Sequence, residues 1–370
     1  MREAQTHRTA YPLAYGIMFS LFPAIVTPYP TGMSSLTDSF GRTINYARLS
    51  VTDRCDFRCV YCMAEDMTFL PRKQVLSLEE LLLVAKGLVK AGVSKIRLTG
   101  GEPLIRNNIM WLIERLGQLD GLSELTLTTN GSQLAKYAPA LKQAGVARLN
   151  ISLDSLKPEK FASITRTGKL QQVLDGIDAA QQAGFEKIKL NAVILKNRNH
   201  DEILDLVAFA LNKKLGISFI EEMPLGDIIE HDRALAFCSS DEVREIISRE
   251  YKLEQSAEKT NGPSRYLKIS SKDGSLHESS VGFISPHSHN FCGECNRIRV
   301  TVEGRVLFCL GNEHSLDLRE PIRNHQGEAK ERVELIEKLI KDNLHLKPEK
   351  HHFDLEQETD IVRFMNMTGG

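Results

Sequence analysis

Between Tyr46 and Met223 the chain alternates short β-branched runs with longer stretches whose apolar positions recur at helical spacing. Six runs predict strands: "ARLSVT" (47–52), "KIRLT" (95–99), "ELTLTT" (124–129), "RLNISL" (148–153), "KIKLNAVI" (187–194) and "ISFIEE" (217–222). Helical stretches separate them. In "SLEELLLVAKGLVKAG" (77–92), Ser77 and Glu80 form a capping box and Gly92 supplies a stop, and "LQQVLDGIDAAQQAGF" (170–185) repeats the arrangement. Six βα units in about 180 residues predict an α/β fold, an incomplete (β/α)6 barrel of the triosephosphate isomerase type, two units short and open on one side. A doubly wound open sheet has the same periodicity and stands as the alternative.

After a polar stretch at 251–264 the pattern changes to short strands, "RYLKIS" (265–270) and "VGFIS" (281–285). "RIRVTVEGRVLFCL" (297–310) then reads as a hairpin turning at Glu303 and Gly304, followed by a helix over 328–344. The expected organisation is a barrel over 33–250 and a smaller α+β region over 251–370. The apolar run "LAYGIMFSLFPAIV" (13–26) is too short to cross a bilayer and is broken by Pro23. Arg2 and Arg8 precede it as in a signal peptide, but no small-residue cleavage site follows. Residues 1–32 are read as a non-functional extension, with Met33 as the functional start.

Forty-seven basic residues against 48 acidic give a net charge of -1, so no global field attracts nucleic acid or an anionic membrane. Any anion site has to be assembled locally. Of seven cysteines, six fall into two triads and Cys238 stands alone as a structural thiol, a pattern unlike a secreted disulfide framework. Metal-bound thiolates in a reducing cytoplasm fit it better.

Cys55, Cys59 and Cys62 follow the first predicted strand, "GGEP" (100–103) the second, "NG" (130–131) the third, "DS" (154–155) the fourth and "MP" (223–224) the sixth. Strand C-termini are where such barrels collect their sites. Three thiolates leave one iron of a four-iron cluster open, whereas zinc would need a fourth ligand, and no other His or Cys lies between Arg8 and Asn199. Cys292, Cys295 and Cys309 form the second triad; here His287 and His289 keep a Cys₃His zinc site open as an alternative. Arg48, Arg97, Lys189, Arg297 and Arg299 fall on strands or beside that triad, where a cation calls for an anionic partner such as a triphosphate. Facing solvent or pairing with barrel carboxylates is the alternative for each.

The spacing Cys-x-x-x-Cys-x-x-Cys with Tyr61 before its last cysteine resembles the radical S-adenosylmethionine superfamily. "YARLSVTDRCDFRCVYCM", "KIRLTGGEPLIR", "LTLTTNG", "LNISLDSL", "CNRIRVT" and the terminal "GG" resemble, in order, the GTP 3′,8-cyclases that open molybdenum cofactor biosynthesis. The resemblance runs from Met33 to Gly370 and finds no counterpart for residues 1–32. It implies two [4Fe-4S] clusters, one on Cys55, Cys59 and Cys62 with S-adenosylmethionine on its open iron, the other on Cys292, Cys295 and Cys309 with its open iron toward guanine. It implies that Tyr61, Gly101, Ser152 and Met223 hold S-adenosylmethionine, and that Arg48, Arg97, Thr128, Lys189, Arg297, Ile298 and Arg299 contact GTP. Arg297, Arg299, Gly369 and Gly370 are implied in catalysis beside the first triad.

In such enzymes a deoxyadenosyl radical takes hydrogen from C3′ of GTP, and the carbon radical attacks C8 of guanine. The family implies a homodimer, an electron donor such as flavodoxin or ferredoxin, and a downstream cyclic pyranopterin monophosphate synthase. Asn130 and Asp154 are read as a turn former and a helix cap. Ala64 stands where the family often has proline, and Thr368 where it often has isoleucine. A radical enzyme on another substrate and a non-enzymatic zinc protein are the rival readings.

Overall fold

The computed structural model describes residues 35–226, 228, 231–258, 262–351, 353, 361 and 363–369. The expectations for residues 1–32, Met33 and Gly370 lie outside the described residues. All six barrel strands form: β1 (Tyr46–Ser50), β2 (Lys95–Thr99), β3 (Glu124–Thr129), β4 (Val146–Ser152), β5 (Ile188–Val193) and β6 (Gly216–Ile220). They lie parallel in the order β1-β2-β3-β4-β5-β6. A doubly wound sheet would reverse its order at a switch point, so this succession decides for the open barrel.

Helices α1 (Leu78–Lys90), α2 (Ile109–Gly117), α3 (Leu134–Gln143), α4 (Pro158–Thr165), α5 (Leu170–Gln182) and α6 (Ile203–Asn212) occupy the crossovers. The capping box on α1 is present, Ser77 Oγ accepting from Glu80 N–H at 3.2 Å and Glu80 Oε2 from Ser77 N–H at 2.7 Å. Leu81, Val84, Ala85 and Leu88 of α1 are fully buried. They belong to one core that also takes the outward residues Ala47, Leu49, Ile96 and Leu98 of β1 and β2.

The region after residue 250 is less separate than its change of pattern suggests. Helices α7 (Arg233–Ala236) and α8 (Ser240–Ser248) lead into β7 (Tyr251–Gln255), β8 (Arg265–Ser271) and β9 (Leu276–Ile284), and β9 pairs parallel with β6. β10 (Arg297–Val300) pairs parallel with β1, and β11 (Arg305–Leu307) and β12 (Ser315–Asp317) follow it antiparallel. Among the described residues the result is one sheet of 12 strands, β12-β11-β10-β1-β2-β3-β4-β5-β6-β9-β8-β7. An open six-stranded barrel has two edges of unpaired backbone groups, and the C-terminal strands cover both. The hairpin turns where expected, with Gly304 at φ +87°. Helix α9 (Arg319–Asn324) precedes α10 (Ala329–Asp342), which packs on α1 so closely that a Cβ on Gly87 would lie 2.4 Å from Ile336. The short α11 (Met365–Thr368) returns to the barrel mouth, where Asn366 donates to Asp53 O at 2.7 Å.

Candidate active site

The loop after β1 folds tightly on itself, with Cys62 N–H donating to Cys59 O at 2.9 Å and Phe57 N–H to Cys55 Sγ at 3.4 Å. The glycines of "GGEP" run against this loop. Gly101 N–H donates to Thr52 O at 2.7 Å and Glu102 N–H to Arg54 O at 2.9 Å. A Cβ on Gly101 would meet Arg54 O at 2.1 Å, and one on Gly100, at φ +142°, would meet Thr52 O at 2.3 Å. The glycines are therefore required by the cysteine loop itself, before any ligand is considered.

Glu102 is fully buried and accepts from Leu104 N–H at 3.0 Å, Thr129 Oγ1 at 2.9 Å and Asn130 N–H at 2.6 Å. Burial outweighs these donors and pushes its carboxyl up to about 7. Asn130 does form the expected turn, its Oδ1 accepting from Ser132 N–H at 2.9 Å. It also reaches the triad, Nδ2 donating to Asp56 Oδ1 at 2.6 Å and lying 3.7 Å from Cys55 Sγ. Asp154 is not a helix cap, because α4 begins at Pro158 behind Lys157. Its carboxylate instead accepts from Tyr61 Oη at 2.7 Å and from Val193 N–H at 2.9 Å, fixing the tyrosine of the triad to β5, and burial raises it to about 6. Burial raises all three thiols, with Glu102 adding at Cys55 and Asp154 at Cys59 and Cys62, the last reaching about 12.

The second triad has a cationic setting. Cys295 N–H closes a turn on Cys292 O at 3.0 Å, and Cys295 Sγ receives Lys347 Nζ at 3.4 Å and Arg297 Nη2 at 3.8 Å. Burial pushes the Cys295 thiol up, yet Arg297 and Lys347 outweigh it and bring it down to about 6. Burial raises Cys309. The histidines of the zinc alternative are engaged elsewhere: His287 Nε2 lies 3.0 Å from Glu222 O, and His289 Nε2 lies 2.9 Å from Asp241 Oδ1.

Strand register builds what lies between the triads. Arg299, Arg48 and Arg97 are neighbours across β10, β1 and β2, and Arg297, Tyr46 and Lys95 form the next row. All six line one cavity that also takes in both triads, Tyr61, Gly101, Thr128, Ser152, Lys189 and Met223. Closed barrels fill their interior with branched apolar side chains; this one is polar and cationic. Arg97 donates to Tyr46 Oη at 2.6 Å and to Thr128 Oγ1 at 3.2 Å, and Lys189 to Tyr266 Oη at 3.1 Å. Arg48 Nε, Asn150 Oδ1 and Asn191 Oδ1 are buried there without a hydrogen-bond partner, an expensive state that a polar ligand relieves. Burial and the neighbouring arginines hold Arg299 well below its ordinary value. Ile298 lines the same cavity between Arg297 and Arg299, although its side chain, 1% exposed, belongs to the apolar core.

The tail reaches this row. Arg299 donates to Gly369 O, and Gly369 at φ +73° sits so close to β2 that a Cβ would fall 2.0 Å from Thr99 Oγ1. The donor sets fit the groups the motifs imply. Among the described residues no three His, Cys, Asp or Glu side chains close round a single ion, while each triad brings three thiols to a common cavity, the number that a four-iron cluster with one open iron takes.

Residues 49–210 match the Radical SAM superfamily model, and residues 215–353 match Molybdenum Cofactor Synthesis C. A GTP 3′,8-cyclase of Pseudomonas putida strain W619 is 59% identical over 336 residues, covering 91% of this chain and 98% of that protein. The chain belongs to the GTP 3′,8-cyclase family. A GTP 3′,8-cyclase of Marinobacter nauticus is 59% identical over 90% of this chain and 98% of its own length, and GTP 3′,8-cyclase 2 of Pseudomonas aeruginosa is 58% identical over 91% and 99%. The crystal structure of SuiB from Streptococcus suis, at 15% identity and TM-score 0.51 over 86% of this chain and 78% of that one, shares the fold. Membership fits a radical S-adenosylmethionine fold with iron–sulfur clusters. Among the described residues no helix is long and apolar enough to cross a membrane.

For a cyclase family member, four residues went unmarked: Tyr46 and Lys95, which line the cavity, and Tyr266 and Lys347, which bond to Lys189 and Cys295 of its lining. Tyr46 and Lys95 carried a signal, since they stand two positions before Arg48 and Arg97 and so share their strand face. Burial pushes the Tyr46 phenol up, but Arg97, Arg48, Lys95 and Arg297 together bring it down to about 7. Tyr266 and Lys347 lie in segments without motif character, and only the folded chain brings them in.

Proposed function

We propose that this chain converts GTP to its 3′,8-cyclised dihydro product, the first step of molybdenum cofactor biosynthesis. The observation that carries the reading is the row Arg299, Arg48, Arg97, with its buried unpartnered Nε, inside one cavity between two three-thiol sets. When bound, the first cluster and S-adenosylmethionine supply the hydrogen-abstracting radical chemistry that opens C3′ of GTP to bonding with C8.

Everything else is positioning by side chains. Arg48, Arg97, Arg299 and Lys189 hold the triphosphate, bidentately where guanidinium meets phosphate oxygens, with Thr128 orienting Arg97. Cys55, Cys59 and Cys62 hold the first cluster, and Tyr61, Gly101, Ser152 and Met223 line the place for S-adenosylmethionine. Cys292, Cys295 and Cys309 would hold the second cluster beside Arg297, and that cluster would supply a binding position for guanine. Gly369 brings the tail to Arg299, where it excludes water, and Gly370 is assigned to catalysis on the resemblance alone. A soluble one-electron donor of the flavodoxin or ferredoxin kind, a homodimer, a cytoplasmic site and a synthase that takes the product to cyclic pyranopterin monophosphate complete the reading.

The test is anaerobic incubation of reconstituted protein with GTP, S-adenosylmethionine and a reductant. Equal appearance of 5′-deoxyadenosine and the cyclised nucleotide is expected. Deoxyadenosine alone sinks the cyclase assignment and points to another substrate, while zinc without acid-labile sulfide in the purified protein removes the redox chemistry altogether.

A further inference from the structure

Lys347 is 2% exposed, a rare state for lysine, since an ammonium taken out of water costs several kcal/mol unless it is paired. All three of its N–H bonds are placed. Nζ donates to Cys295 Sγ at 3.4 Å, to Arg297 O at 2.8 Å and to Phe308 O at 2.8 Å. Those acceptors stand beside two thiols of the second triad, because Arg297 lies two residues beyond Cys295 and Phe308 immediately precedes Cys309. Lys347 does not line the cavity, so its ammonium stands behind the thiol and not beside the substrate.

The residues after Lys347 continue the same contact. His351 N–H donates to Cys292 Sγ at 3.5 Å. Arg42 ties the strap down, donating to Pro348 O at 2.7 Å, Glu349 O at 2.8 Å and Cys292 O at 2.9 Å. At the first triad Cys55 Sγ receives Phe57 N–H at 3.4 Å and Asn130 Nδ2 at 3.7 Å, and it lies 3.9 Å from the Asp56 carboxylate.

We propose that Lys347 is a charge-compensating positioning residue of the second centre, fixing Cys295 for iron and raising the reduction potential of the cluster bound there. The inference rests on reading Cys292, Cys295 and Cys309 as the ligands of a second four-iron cluster. Hydrogen bonds and positive charge at a ligand sulfur stabilise the state with one more electron, and burial keeps that interaction unscreened. One electron enters the cluster from the reductant in solution, and no bond is made or broken.

The experiment is potentiometric titration, followed by electron paramagnetic resonance, of anaerobically reconstituted wild-type, Lys347→Met and Lys347→Arg holoenzymes. The signal that responds to GTP reports the second cluster, and the one that responds to S-adenosylmethionine reports the first. In K347M the GTP-responsive midpoint moves to more negative potential, by an amount that lowers the reduced fraction at fixed potential about tenfold, or about 59 mV for one electron. The other midpoint stays in place, and K347R stays near wild type. An unchanged GTP-responsive midpoint in K347M overturns the proposal. Where K347M loads too little iron to titrate, K347R decides: restored iron supports a role for charge, and an arginine variant as iron-poor as K347M overturns it. Failure of the two-cluster reading shows separately, as a single cluster in the wild-type protein, and takes the proposal with it.

Discussion

Around Cys55, Cys59 and Cys62 the ionisable neighbours that act on the thiols are carboxyl groups, Glu102, Asp56 and Asp154, whereas Cys295 faces Arg297 and Lys347. The thiol count is the same and the field is opposite. Negative surroundings oppose an added electron and make a stronger reductant; positive surroundings accept the electron more readily and also attract phosphate. On the proposed function, the first site would be suited to give an electron away and the second to hold substrate. Glu102 and Asp154 titrate near 7 and 6, so the negative field at the first triad strengthens as pH rises through that range.

The harshest way to break the comparison is to remove one ligand from each side. Cys59→Ser takes both deoxyadenosine and cyclised nucleotide to background. Cys309→Ser leaves deoxyadenosine formation and removes the cyclised product. Chromatography of anaerobic reactions reads both, and identical profiles for the two variants would end the division of labour.

Tyr46 tests the cationic side through pH. Its phenol is fully buried and displaced from its ordinary 10.0 to about 7, which is worth about 4 kcal/mol. A lowered value means the fold favours the ionised form, so the contribution is complete above pH 10 and disappears as pH falls through 7. Denaturant unfolding between pH 6 and 10 is expected to show that slope in wild type and not in Tyr46→Phe. The triphosphate brings its own negative charge to the same arginines, so GTP binding near pH 8 takes up a proton. Calorimetry in two buffers of different ionisation enthalpy detects the uptake, and Y46F loses it.

The barrel strands, the hairpin at Gly304 and both thiol sets were legible because each depends on local chemistry: β-branched runs, a turn glycine, cysteine spacing. Arg48, Arg97, Lys189, Arg297 and Arg299 were legible as cations on strands, but their rows depend on register between β10 and β1, strands some 250 residues apart. The joining of the C-terminal strands to both barrel edges was hidden for the same reason. Asp154 misled because an aspartate shortly before a helix reads as a cap, and its partner Tyr61 lies 93 residues away. Lys347 had no local signal at all.

A gentler change sharpens the tail's role. Gly369→Ala puts a Cβ 2.0 Å from Thr99 Oγ1 at a φ of +73° that side chains rarely adopt. Strain of about 1–3 kcal/mol corresponds to roughly 5- to 150-fold in any property that needs the tail seated on Arg299. Cyclised product is expected to fall within that range, while uncoupled deoxyadenosine persists, since the first triad is untouched.

The smallest effect belongs to Asn130. Asn130→Ala removes its donation to Asp56 at 2.6 Å and its Oδ1 acceptor for Ser132 N–H. Loss of such hydrogen bonds costs about 1 kcal/mol, visible as a lower midpoint in denaturant. Asn130→Asp keeps the acceptor and so keeps the turn, but sets a second carboxylate against Asp56 beside Cys55. If the turn were the whole role of Asn130, N130D would match wild type. With the negative field acting on the first triad, N130D instead moves the midpoint of the S-adenosylmethionine-responsive cluster to more negative potential, and the GTP-responsive midpoint stays where Lys347 holds it.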